Sequence, residues 1–191
     1  MNHGSLRVKF VALWSLLLVA KLLLAAVLPI FVDEAFYAWE SRYPAWAYSD
    51  LPGLTAALIG LGRASAGESL LAMRAAFLVL GAALPWLVVR ITARWFGPDA
   101  GWRAGILALL MPLSGLLGVL AMPDVPLVFA TLLCVDAAAG LRERRRGQLW
   151  LLLALGLVLG ALSHYRFLAV IAALFVAAVV DPRSRALLRD P

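Results

Sequence analysis

Long apolar runs separated by short polar breaks dominate the chain. Six can be drawn: Val8–Val32, Leu70–Ile91, Gly105–Met122, Val125–Leu141, Leu149–Ser163 and Phe167–Val180. Such continuous runs predict helices, because they lack the two-residue alternation of membrane β-barrel strands. The last two, joined, would make a helix of about 32 residues, about 48 Å long, which overshoots a hydrocarbon core. Ser163-His164-Tyr165-Arg166 between them therefore predicts a turn. The first run follows Arg7 and Lys9, as a secretory signal would, but it is far longer than the 7–15 residues of a signal's apolar core and reads as a retained span. Residues 33–69 form the one substantial non-spanning region. Within it Leu54–Leu61 is too short to cross, which predicts one or two interfacial helices interrupted by Pro44 and Pro52-Gly53. The expected fold is an all-α integral membrane protein, a single polytopic domain over 1–191. It has about six transmembrane helices, with interfacial helices in the first outer loop.

Composition agrees. The chain is 64% hydrophobic and 15% charged, with a mean hydropathy of +0.93, too apolar for a soluble core to hide. The net charge of +6 does not indicate nucleic acid, because the basic residues fall in short clusters between apolar runs, as in cytoplasmic membrane loops. Six spans place 12 of the 17 Lys and Arg on the side of the termini. Arg42, Arg63, Arg74 and Arg166 lie on the other side, and Lys21 lies within the first span. The positive-inside rule makes both termini cytoplasmic in an inner (plasma) membrane. Asp33, Glu34, Glu40, Asp50, Glu68 and Asp124 fall on the outer side or its boundary, and His164 joins them. The lone Cys134 makes neither an internal disulfide nor a multi-cysteine metal site.

Adjacent carboxylates at a membrane boundary are costly. Asp33-Glu34 offers a general base, a metal ligand, or a cap for a following helix. Asp50, in Tyr48-Ser49-Asp50-Leu51-Pro52, is a substrate contact or an Asx turn before proline. Asp124 after Pro123 is held near Asp33, caps the next helix, or does both. Arg74, about one turn inside the second span, must snorkel, pair with a carboxylate or grip a phosphate with its planar fork. His164 and Arg166 add positive charge at the outer turn. Asp136, near the inner end of its span, is expected to pair with an arginine. A divalent ion near Asp33 and Asp124 would suit hard oxygen ligands, but no dedicated cage is present.

Asp33-Glu34-Ala35-Phe36-Tyr37-Ala38-Trp39, then Tyr48-Ser49-Asp50-Leu51-Pro52, then Met73-Arg74 opening a span that closes on Arg94-Trp95-Phe96-Gly97, resembles the start of the polyprenyl-phosphate-sugar glycosyltransferases of family 39. Pro123-Asp124 and Leu162-Ser163-His164-Tyr165-Arg166 continue the likeness over nearly the whole chain. That group shares the GT-C fold and includes protein mannosyltransferases and lipid A aminoarabinose transferases. The resemblance implies inverting transfer of a sugar from a polyprenyl monophosphate to an acceptor hydroxyl at the outer face. Asp33 matches the family's catalytic base, with Glu34 beside it. Arg74, Arg166 and His164 would neutralise the departing phosphate, with Asp50 and Asp124 as further substrate contacts and no cofactor required. Two departures stand out: Leu51-Pro52-Gly53 where relatives commonly carry Lys or His before Pro-Pro, and His164 where lysine is frequent. Relatives also continue through further spans. The chain is therefore expected to be an N-terminal part, working with a remaining C-terminal half or partner chain. The alternatives are a non-catalytic protein that binds or transports lipid-linked sugars, and an inactive fragment.

Overall fold

The computed structural model describes residues 3–144, 146–182 and 184–185. Arg145, Arg183 and Arg189, counted above on the basic side, lie outside the described residues, as does the rest of the tail to Pro191. Every regular element described is a helix: α1 (His3–Val27), α2 (Val32–Glu40), α3 (Leu54–Ala66), α4 (Leu70–Phe96), α5 (Pro98–Leu110), α6 (Pro112–Leu116), α7 (Asp124–Glu143), α8 (Gly147–Ser163) and α9 (Phe167–Val180). The protein is an all-α membrane protein. Helices α1, α4 and α7 are long and apolar enough to cross a bilayer, while α3, α8 and α9 are shorter apolar helices.

Two of the expected runs break where proline dictates. The first does not continue to Val32. Helix α1 ends at Val27, because Pro29 has no amide to give the Ala25 carbonyl and pushes Leu28 away from helical backbone. The Gly105–Met122 run is not one span either. Pro112 drives Met111 into extended backbone, with ψ 126, which ends α5 and opens the five-residue α6. Residues 117–123 then run without helix to α7, through Gly118 at φ +95. The predicted break at 163–166 is a turn between α8 and α9.

Helix α4 is the hub, touching α1, α3, α5 and α7, and α7 in turn packs along α8. One core cluster, at the basic end, centres on Phe10, Val89 and Leu109, with Trp14 and Trp102 against it. A second, at the opposite end, unites Tyr37, Leu51, Met73, Phe77, Ala121 and Val125. The acidic motifs are the sequence neighbours of this second cluster, so burying its apolar side chains brings their charged neighbours together. At the basic end Asp136 accepts from Arg90 Nε (2.9 Å) and Arg94 Nη2 (3.1 Å).

Candidate active site at the acidic end of the bundle

A buried ion pair organises this end. Glu34 and Arg74 have side chains only 1% exposed, and every N–H of the guanidinium is used. Nε donates to Glu34 Oε1 (2.8 Å) and Nη2 to Glu34 Oε2 (2.6 Å). Nη1 donates to the carbonyls of Ala25 (2.8 Å) and Leu28 (2.9 Å), and Nη2 also to that of Pro29 (3.1 Å). Arg74 thus satisfies the carbonyl that Pro29 orphans at the end of α1, where a cation also suits the helix dipole. Glu34 additionally accepts from the backbone N–H of Ala121 (2.7 Å) and of Phe31 (3.0 Å). The second of these bonds closes the first turn of α2. Burial alone would raise the Glu34 carboxyl, but bonds from Arg74, Ala121 and Phe31, with the arginine's charge, hold it below the usual carboxylate range.

That network fixes the register of α2 and leaves Asp33 free. Glu34 takes the capping bond, so Asp33 is exposed, and its carboxylate has no hydrogen-bond or ion-pair partner among the described residues. Along α2, Asp33, Tyr37 and Glu40 share one face by helical spacing. Tyr37 is 8% exposed, and its phenol is pushed up to about 12 by burial and by the charges of Asp33, Asp50, Glu40 and Asp124. Four carboxylates from three parts of the chain therefore act on one phenol. Glu40 is raised by its own burial and by Asp50.

Asp50 sits on a tight loop. Tyr48 N–H donates to the Leu51 carbonyl (2.8 Å) and Gly53 N–H to that of Trp46 (2.8 Å). A Cβ on Gly53 would lie 2.2 Å from the Ala45 carbonyl oxygen, so only glycine permits this closure. The Tyr48 hydroxyl ties the loop to the carbonyls of Glu40 (3.1 Å) and Tyr43 (2.9 Å). Arg63 of α3 holds the end of α2 from the other side, donating to Ala38 O and Ser41 Oγ and forking onto Glu68.

Asp124 is the first residue of α7, not its cap, and its charge complements the helix N-terminus. Its Oδ1 lies 3.7 Å from Arg166 Nη1, a loose and exposed pair. His164 Nδ1 accepts from the Arg166 backbone N–H (3.1 Å), so its ring folds onto its own turn. Beside Asp124 opens an apolar cleft of about 590 Å³ between Leu24 and Leu28 of α1, Leu113 and Leu116 of α6, the 117–122 segment, and Val125 and Val128 of α7. Among the described residues no three His, Cys, Asp or Glu side chains are grouped to hold a metal ion.

Residues 50–191 match the dolichyl-phosphate-mannose-protein mannosyltransferase family. The chain belongs to that family, a branch of the GT-C glycosyltransferases. A lipid A galacturonosyltransferase, RgtD, of Rhizobium johnstonii (strain DSM 114642 / LMG 32736 / 3841) is 26% identical over 161 residues, covering 84% of this chain and 34% of that protein. The chain thus spans about a third of that relative's length. No solved structure matches it. The family match begins at Asp50, so Asp33 and Glu34 lie outside it, while Arg74, Asp124, His164 and Arg166 lie within.

The fold of this GT-C chain gathers Tyr37 with Leu51 and Val125, the neighbours of Asp50 and Asp124, so that the charges of Asp33, Asp50 and Asp124 act on the Tyr37 phenol, and it sets Arg166 against Asp124. Glu34 and Arg74 sit together beneath them, bonded to each other and to backbone. Tyr37 and Glu40 were not singled out from sequence. The spacing Asp33, Tyr37, Glu40 on a short helix was the available signal.

Proposed function

We propose that this chain carries the donor-side half of a glycosyltransferase site, where a sugar leaves a polyprenyl monophosphate for an acceptor hydroxyl at the outer face of the inner membrane. One observation carries the reading: an apolar cleft large enough for isoprenoid units opens beside Asp124, which pairs loosely with Arg166 and acts with the unpartnered Asp33 on the Tyr37 phenol. Asp33 takes the acceptor's proton as the hydroxyl oxygen bonds to the anomeric carbon. The bond from that carbon to the phosphate oxygen breaks, and its electron pair leaves with the phosphate, inverting the centre. Arg166, exposed and only loosely paired, meets the phosphate, with His164 beside it. Arg74 has no donor to spare for the substrate, so with Glu34 it acts as a positioning residue. Asp50 and Asp124 offer acceptors for sugar hydroxyls. The bacterial relative's name supplies the acceptor class we assign, a glycolipid hydroxyl at the membrane surface.

The test is capture of a photoreactive isoprenyl monophosphate by the purified chain in lipid nanodiscs. Labelling of the 113–128 segment, competed by polyprenyl phosphate but not by a free sugar phosphate, is expected. Absence of specific labelling there would overturn the donor assignment.

A further inference from the structure

Lys21 is a cation buried in a membrane-crossing helix, 4% exposed, and takes no part in the chemistry above. Its Nζ donates to the carbonyl of Leu117 (2.8 Å), the residue that caps the end of α6. Beyond this point the third apolar run abandons helix, and the carbonyls of a helix end need donors from elsewhere. A lysine within a span is expensive unless it satisfies such a group.

Four other contacts act on the same stretch. A Cβ on Gly81 of α4 would lie 2.2 Å from the Leu117 oxygen, so glycine there lets the strand of backbone lie directly on α4. Gly118, in left-handed backbone, faces the Phe77 carbonyl of α4, which a Cβ would approach to 2.4 Å. Four residues past Leu117, the Ala121 N–H is held by Glu34. Val119 between them packs with Ala25 and Leu78. An unwound segment inside an apolar bundle is thus fastened at one end by a cation from α1 and at the other by a carboxylate from α2.

The segment is also a wall of the cleft. Leu117 through Leu120 and Met122 line it, and α7 with Asp124 begins where the segment ends. From this geometry we infer that Lys21 is a positioning residue for the donor lipid: by fixing the Leu117 carbonyl it holds residues 117–121 as the rigid wall against which the isoprenoid lies. The inference rests on the donor reading above for the identity of the lipid, but the anchoring of the segment stands independently of it.

The experiment uses Lys21→Met, which keeps the length of the side chain and removes the charge and donor, and Lys21→Arg, which restores a donor. Hydrogen–deuterium exchange in nanodiscs reads the anchor. The amides of 117–123 should exchange at least about tenfold faster in K21M, the weight of one bond from a charged donor, while α7 and α8 peptides keep wild-type protection. K21R should return towards wild type. Capture of the photoreactive isoprenyl monophosphate should fall by a similar factor in K21M. Unchanged exchange at 117–123 in K21M overturns the anchoring, and so does equal acceleration across α7 and α8. Faster local exchange with wild-type capture overturns the role in lipid positioning. Failure of the wild-type chain to capture the probe strikes the donor reading instead and leaves the exchange result to decide the anchor.

Discussion

Replacing Arg74 by methionine removes five hydrogen bonds at once: two to Glu34 and three to the carbonyls of Ala25, Leu28 and Pro29. It strands a carboxylate 1% exposed with only the Ala121 and Phe31 amides for company. Breaking one side of a buried pair costs about 3–5 kcal/mol, because the surviving charge keeps its desolvation penalty without its partner. Removing that charge as well should recover part of the loss. The double variant E34Q/R74M is therefore predicted to be more stable than R74M by about 1 kcal/mol or more, a coupling typical of residues in one network. R74K keeps the charge but offers three donors in place of five, and should fall between wild type and R74M. Equilibrium unfolding in mixed micelles, followed by helical circular dichroism, measures these proteins and the single variant E34Q, five in all. R74M within about 1 kcal/mol of wild type, or a double variant whose loss is the plain sum of the single ones, would refute the view that this pair holds α1, α2 and the 117–123 segment together.

Four further outcomes follow from the same geometry. Glu34, held below the ordinary carboxylate range, contributes stability that is present above its unfolded value and lost as pH falls through the lowered one. E34Q should flatten the acid limb of the unfolding profile, and an unchanged limb counts against the assignment. Tyr37, raised to about 12, contributes stability that is full below about 10 and lost as pH climbs from there to about 12, so Y37F should remove that alkaline loss, read by the same unfolding scans. Arg166→Gln breaks only an exposed pair at 3.7 Å and should cost under about 1 kcal/mol of stability, yet raise the donor KM; a stability loss without a change in KM contradicts the phosphate role. Gly53→Ala must displace the Ala45 carbonyl and shift the Asp50 loop, which limited proteolysis between residues 43 and 53 would report as faster cleavage.

Much of the architecture was legible because bilayer burial leaves a strong apolar signature. Helices α4, α7, α8 and α9 fall within a few residues of the runs that predict them. The misread run, Gly105–Met122, is as apolar as its neighbours, but Pro112 and Gly118 act on backbone geometry, which hydropathy does not register. Proline at 29 likewise ends α1 before the apolar run ends. For the candidate site, the order of motifs along the chain anticipated one neighbourhood: Asp33, Asp50 and Asp124 flank the cluster of Tyr37, Leu51 and Val125, and Arg166, beside Phe167 of another cluster, joins them through Asp124. The division of labour inside it was not readable. Glu34 and Arg74 are charged residues of the same types as Asp33 and Arg166, and only burial distinguishes a pair locked into the scaffold from groups left open to a substrate. Lys21 gave no clue of a role until its carbonyl partner, 96 residues away, was in view.

The central claim is that Asp33 removes the acceptor's proton, and sugar transfer by Asp33→Asn, measured per molecule of bound donor lipid in nanodiscs, tests it most directly. Wild-type capture of the isoprenyl phosphate with transfer reduced by about 10²–10⁴-fold is the predicted result. Transfer close to wild type, or no transfer by either protein despite normal donor capture, contradicts it.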